Sequence, residues 1–363
     1  MPDGEQITPK NNFFLLGQEE AEKALLGAYN SNKLHNSWLI SGVKGIGKAT
    51  LAYRFARFLL DERRRNFSPA SSLATDPDSP ANRLVSSGSH PDFKVIERDF
   101  IETDRKKVLK AIKDGAALDE SELKGLKKSA FIRIDDVRGI NEFLAKKSSG
   151  DGWRAVIIDS IDDMNPASAN ALLKILEEPP AKSILLLISH NVGQLLPTIR
   201  SRCTKLVLKP LSDNAVASLL RRYRPELDET AVKGITEIAS GSIGKALNYA
   251  DCGALERYRG LSAIIGAGSR FRLQDLLDWV DAAVGSEESF ELASELVLKY
   301  CSDHILFSRD IEETARAWEN AVRVLRQTDS LNMDKKEALI NIIGNLCNCL
   351  LYTSPSPRDP KTS

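Results

Sequence analysis

The sequence predicts a doubly wound α/β domain built on a parallel sheet, followed by a region made of helices. Three observations carry this. A glycine-rich turn, Gly42 to Gly47, sits between the apolar run Trp38-Leu39-Ile40 and the helix-patterned stretch Leu51 to Leu60. The runs Arg154 to Asp159 and Ser183 to Ser189 are apolar throughout their interiors, as strands covered on both faces must be. Beyond Lys209-Pro210 no such run recurs, and apolar residues fall at helical spacing instead.

Each element follows from its residues. Ala21, Ala24, Leu25 and Ala28 lie at i, i+3, i+4 and i+7 and predict a helix over about residues 18–30. Strand, glycine turn and helix over 38–60 form a nucleotide-binding βα unit. Residues 66–90, with seven serines and three prolines, read as a surface loop. Phe93 to Glu97 reads as a strand. Residues 105–128 carry eight Lys/Arg against four Asp/Glu and read as a solvated helical face, with a phosphate or DNA contact as the sharper alternative. FIRI, 131–134, reads as another strand, and Val137, Ile140, Phe143 and Leu144 mark a helix. Asn165-Pro166 places a capping side chain before a proline at the first helical position, and Pro179-Pro180 ends that helix. Residues 212–250 read as short helices and 255–348 as longer amphipathic ones, with Leu292, Leu296 and Tyr300 on one face.

Composition narrows the function classes. At roughly 100–200 residues per domain, 363 residues favour two or three domains. Fifty Lys+Arg balance fifty Asp+Glu, which argues against a protein whose main task is coating nucleic acid. The five cysteines include no C-x-x-C, so neither a disulfide framework nor a four-ligand zinc site is expected. No run approaches 18 apolar residues and the first residues are too polar for a secretory signal, so a cytoplasmic chain without a membrane span is expected.

Gly42-Val-Lys-Gly45-Ile-Gly47-Lys48 matches G-x-x-x-x-G-K. Glycines let backbone N–H groups converge on phosphate oxygens, the helix N-terminus adds positive potential, and Lys48 supplies a point charge. The next residue should be Ser or Thr, whose hydroxyl binds the nucleotide's magnesium, but it is Ala49. Thr50 comes one residue late and points about 100° away on a helix. Asp159 ends its strand where a metal-orienting carboxylate belongs, and Ser160 follows it where a hydrolase has Glu. ATP binding is therefore expected to be weak or without hydrolysis, and magnesium doubtful. Asp162 and Asp163 lie past the strand end.

WRAVIIDSIDDMNPASANALLKILEEPP, followed by TIRSRC at 198–203, resembles the clamp-loader AAA+ family of bacterial DNA polymerase III. LLGQEEA (15–21), LHNSWLISGVKGIGKATLAYRFARFLL (34–60), SHPD (89–92), GSIGKAL (241–247) and LNMDKKEAL (331–339) extend the resemblance over residues 13–348. It implies a nucleotide-fold domain over 1–209, a helical lid over 210–252 and a helical collar over 253–348. The implied partners are tau/gamma motor subunits, a delta subunit, and, through the complex, the sliding clamp and primed DNA. Arg202 would be an arginine finger reaching ATP on a neighbouring subunit, with Ser201 and Cys203 positioning its loop. The absent Glu at 160 favours a non-hydrolysing member over the motor subunits. A self-sufficient AAA+ ATPase, motor subunit or helicase loader, is the alternative, and Asp162 or Asp163 would have to activate water in it. Many members carry a four-cysteine zinc module where this chain has its serine-rich stretch, so no zinc is expected. Gly244 stands where ATP-using relatives have arginine in the lid motif. Ser189-His190 occupies the phosphate-sensing place or caps the strand. Cys349 to Asp359 resembles translated read-through of a sequencing-library adapter, so 349–363 are expected to be a non-native tail.

Overall fold

The computed structural model describes residues 7–61, 69–113, 126–148, 152–305, 311–331 and 333–349. The tail from 350 onward and the 114–125 part of the basic stretch lie outside the described residues. The chain divides into two compact units, one of Met1–Tyr223 with Ser240–Lys245, the other of Arg224–Ala239 with Ala246–Ser363.

In the first unit, strands β1 (Ser37–Ser41), β2 (Phe93–Glu97), β3 (Arg154–Asp159), β4 (Ser183–Ser189) and β5 (Thr204–Val207) form one sheet in the order β2-β3-β4-β1-β5. All four pairings are parallel. Helices α1 (Glu19–Asn30), α2 (Lys48–Leu60), α3 (Pro80–Ser87), α4 (Glu102–Lys113), α5 (Ile134–Ala145), α6 (Pro166–Glu177), α7 (Pro197–Arg202) and α8 (Asp213–Tyr223) accompany it.

Successive strand residues point to opposite faces, and the sheet accordingly feeds two cores. Trp38, Ile40, Ile157, Leu186 and Ile188 pack with Leu25 of α1 and Leu51, Phe55 and Phe58 of α2. Leu39, Val156, Ile158, Leu185 and Leu187 pack on the other face with Ile140 of α5, Leu172 and Leu176 of α6, and Ile199. Helices on both faces explain why β1 and β4 are buried from end to end.

The expected cap on α6 is made: the Asn165 side chain accepts from Ser168 N at 2.9 Å, with Pro166 at the first turn. Two expectations fail. FIRI is not a strand, because Ile132 makes only an isolated bridge to Met164 and the helix already begins at Ile134. Asp135 and Asp136 in its first turn suit the helix dipole there. The stretch 66–90 contains α3, which Ser79 caps by accepting from Asn82 N at 3.2 Å.

The second unit is helical among its described residues: α9 (Glu229–Ala239), most of α10 (Ile243–Asp251), α11 (Ala254–Gly266), α12 (Leu273–Ala283), α13 (Glu287–Ile305), α14 (Ile311–Leu331) and α15 (Lys335–Cys349). Leu292, Leu296 and Tyr300 of α13 are buried as their spacing predicts. The hydroxyls of Tyr249 and Tyr258 donate to Glu295 and Asp303 of the same helix at 3.1 and 3.0 Å. No described helix is long and apolar enough to cross a membrane.

Candidate functional site

The glycine turn leaves β1 and opens α2. Gly47 caps the helix with φ +98°, and Gly45 has φ +81°, both in the left-handed region that side chains avoid. Lys48 turns back on its own loop, where its ammonium donates to the carbonyls of Gly42 and Val43, each at 2.6 Å. Burial lowers its pKa to about 8, against the opposing pull of Asp159 and Asp162. Ala49 packs against the α2 core and Thr50 is buried. Gln18 braces the loop from α1's start, donating to Ile46 O at 3.1 Å and Lys209 O at 3.0 Å.

Asp159 ends β3 beside its register partner Glu97. Burial, reinforced by Glu97, raises its pKa to about 6, while Lys48 pulls it down. Asp162 has a different occupation. It accepts from His190 N (2.6 Å), Asn191 N (3.1 Å), Ser189 Oγ (3.0 Å) and Ser160 Oγ (3.2 Å). Burial alone would raise this carboxyl, but these bonds hold it below the usual carboxylate range. Asp163 pairs with Arg98 at 3.3 Å. Asp162 thus ties the end of β3 to the end of β4, Asp163 ties it to the residue after β2, and Ser189 spends its hydroxyl on Asp162.

Residues 241–245 close over the phosphate loop. Ser242 Oγ donates to Lys44 O at 2.8 Å, and Gly244 N donates to Gly45 O at 2.9 Å. A Cβ at Gly244 would lie 2.8 Å from Gly45 Cα, so a side chain there collides with backbone. That close approach is a physical reason for glycine at position 244. The sequence signal, two glycines flanking Ser242-Ile243, was visible, but its target was not.

Arg202 ends α7. Its Nη1 donates to Thr198 O at 3.1 Å, and its Nη2 pairs with Glu177 at 2.7 Å. Ser201 Oγ donates to the same Thr198 carbonyl at 3.0 Å. Cys203 is buried with Ile199, and burial pushes its thiol up to about 12, so it remains protonated. Trp38 of β1 is buried, with its indole N–H donating to His35 O at 3.0 Å.

The structure therefore gathers Gly42, Gly45, Gly47, Lys48, Ala49, Thr50 and Asp159 at one end of the sheet and puts Ser201, Arg202 and Cys203 at the other. β1 and β5 run parallel with Trp38 opposite Thr204. Arg202 precedes the starting end of these strands and Gly42 follows their finishing end, roughly 20 Å away at about 3.3 Å per residue.

A phosphate loop after β1 of a parallel 5-1-4-3-2 sheet, helices on both faces and a helical region beyond define a P-loop protein of the AAA+ type. The family model described as DNA polymerase III, delta subunit, matches residues 17–212, over half of the 363 residues, and the chain belongs to that family. It is 34% identical over 209 residues to DNA polymerase III subunit delta' of Pseudomonas aeruginosa, covering 57% of this chain and 53% of that one. It is 25% identical to the delta' subunit of Escherichia coli over 61% of this chain and 57% of that one. To the gamma subunit of Buchnera aphidicola subsp. Schizaphis graminum it is 28% identical, over 64% and 56% respectively. The chain thus spans little more than half the length of these curated relatives.

Proposed function

We propose that this chain is the delta prime-type subunit of a clamp loader. It assembles with tau/gamma motor subunits and a delta subunit to open the sliding clamp and place it on primed DNA. Arg202 serves a neighbour's ATP, while the chain's own phosphate loop is weak or vestigial. The observation that carries this reading is the separation just described. An arginine roughly 20 Å along the strands from its own phosphate loop acts on another chain's phosphate or on none. A guanidinium suits the task because it is always charged and offers a rigid fork to phosphate oxygens.

The residues fit phosphates better than they fit magnesium. Gly45 and Gly47 keep the loop's backbone open to an anion, but Lys48 is bonded to loop carbonyls and would have to leave them. Ala49 offers no side-chain oxygen to a metal and Thr50 is buried. Nothing in the sequence resembles a polymerase palm; polymerase activity would belong to the holoenzyme.

The rival reading, a self-sufficient ATPase of the motor type, draws on the similarity to gamma subunits. It needs a water-activating carboxylate, and Asp162 and Asp163 are committed to structural bonds. The test is clamp- and primer-stimulated ATP hydrolysis by the reconstituted loader, wild type against Arg202→Ala. The expected result is a loss of about two orders of magnitude or more with assembly intact. An unchanged rate refutes the in-trans reading, and stimulated turnover by the isolated chain establishes the rival.

A further inference from the structure

The two segments that carry the family resemblance, LKILEEPP and TIRSRC, meet in one ion pair. Arg202 Nη2 lies 2.7 Å from Glu177 Oε1, with the two side chains 36% and 49% exposed. Nη1 is held separately, by Thr198 O at 3.1 Å. A guanidinium is planar, so anchoring both terminal nitrogens sets the plane as well as the place of the group. Two of its five N–H groups are used this way, which leaves donors for an anion.

Glu177 is oddly placed by local rules. It is the last residue of α6, and Glu178 follows as the cap residue. The carbonyl end of a helix carries negative partial charge, so carboxylates are disfavoured there and Lys or Arg is the usual choice. Only Lys174 offsets them within the last turn. The positive charge that satisfies Glu177 instead comes from Arg202, 25 positions on. An ion pair this exposed adds little to folding. Its clear effect is on the arginine, a long side chain whose freedom it removes before any partner arrives.

We infer that Glu177 is a positioning residue for Arg202, holding the guanidinium in the orientation from which it donates to a polyphosphate on a neighbouring chain. The inference rests on the in-trans reading of Arg202. Glu177 itself touches no substrate. Without it the fork is tethered only through Thr198 O and samples several rotamers, so fewer complexes are poised for transfer.

The experiment uses the reconstituted loader with clamp and primed DNA, measuring kcat and KM for ATP. Glu177→Ala should lower kcat about tenfold, a share of the roughly hundredfold or greater loss from removing the finger, with KM for ATP little changed. Glu177→Gln, which still accepts a hydrogen bond, should recover part of the loss. In an Arg202→Ala background Glu177→Ala should cost nothing more. The thermal midpoint of the isolated Glu177→Ala chain should stay near wild type, which separates positioning from misfolding. An unchanged kcat overturns the inference. A raised kcat overturns it too, since Glu177 would then restrain the arginine rather than present it. A further loss in the double variant shows action independent of Arg202 and also overturns it. If Arg202→Ala alone leaves the rate unchanged, the in-trans reading falls and this inference with it. If Arg202→Ala is severe and Glu177→Ala silent, only this inference falls.

Discussion

Replacing Asp162 decides between a staple and a catalytic base. Asp162→Ala removes the acceptor of four hydrogen bonds at once. Ser189 and Ser160 are buried, so each hydroxyl left short of a partner costs about 1 kcal/mol. His190 and Asn191 are exposed, and water can take up their N–H groups at about 0.5 kcal/mol each. The expected loss is about 3 kcal/mol, or a drop of about 6–12 °C in the unfolding midpoint. Thermal unfolding measures it, and hydrogen exchange should place the loosening at the ends of β3 and β4. The folded carboxyl titrates below its unfolded value, so its contribution is full above the ordinary carboxylate pKa of about 4 and fades as pH falls through the folded one. The gap between wild type and variant should be flat from about pH 5 to 8 and narrow below about pH 4. Asp162→Asn should also destabilise, because its amide group faces donors. A variant Asp162→Asn with wild-type stability and stimulated turnover reduced about a hundredfold would refute the staple and point to a base.

Three further expectations concern the phosphate loop and the 241–245 turn that meets it. Lys48 titrates near 8 when folded and near 10.4 when unfolded, so the unfolded chain holds more protons between those values. Wild-type stability relative to Lys48→Met should therefore rise from about pH 8 to 10, read from urea midpoints, and a flat or falling difference refutes the burial of a charged lysine. Lys48→Ala should leave stimulated turnover of the loader little changed; a large loss would reveal a working nucleotide site. Gly244→Ala ordinarily gains about 0.5–1 kcal/mol in a helix. Here its Cβ meets Gly45 Cα at 2.8 Å, and overpacking against backbone at about 1–3 kcal/mol should reverse the sign. A stabilised Gly244→Ala chain in thermal unfolding would show that the 241–245 turn does not rest on the loop.

What the sequence made legible was periodic or local. The buried strands and the cap at Asn165 depend on residues within a few positions of one another, and so does the phosphate loop. FIRI misled because an aromatic and two β-branched residues resemble a strand, although Phe131 is exposed and the acidic pair after Ile134 starts a helix. Helix α3 was hidden by serine content, though Ser79-Pro80 is a cap followed by a first-turn proline. The roles of Asp162, Gly244 and Glu177 were not legible for a different reason. Their partners lie 28, 199 and 25 positions away, and neither periodicity nor propensity carries information over such separations.

The alternation of the strands has a consequence for how damage spreads. The sheet is a partition wall: Ile40, Ile157 and Leu186 furnish the chamber behind α2, while Leu39, Val156 and Leu187 furnish the chamber behind α6 and α7. The phosphate loop is supported from the first chamber and Arg202 from the second, and distant sites without shared contacts perturb stability nearly independently. Changes at the phosphate loop should therefore leave the bonds that hold Arg202 intact, and changes at Arg202 should leave the loop intact. The sheet thus insulates the placement of Arg202 from changes at the phosphate loop.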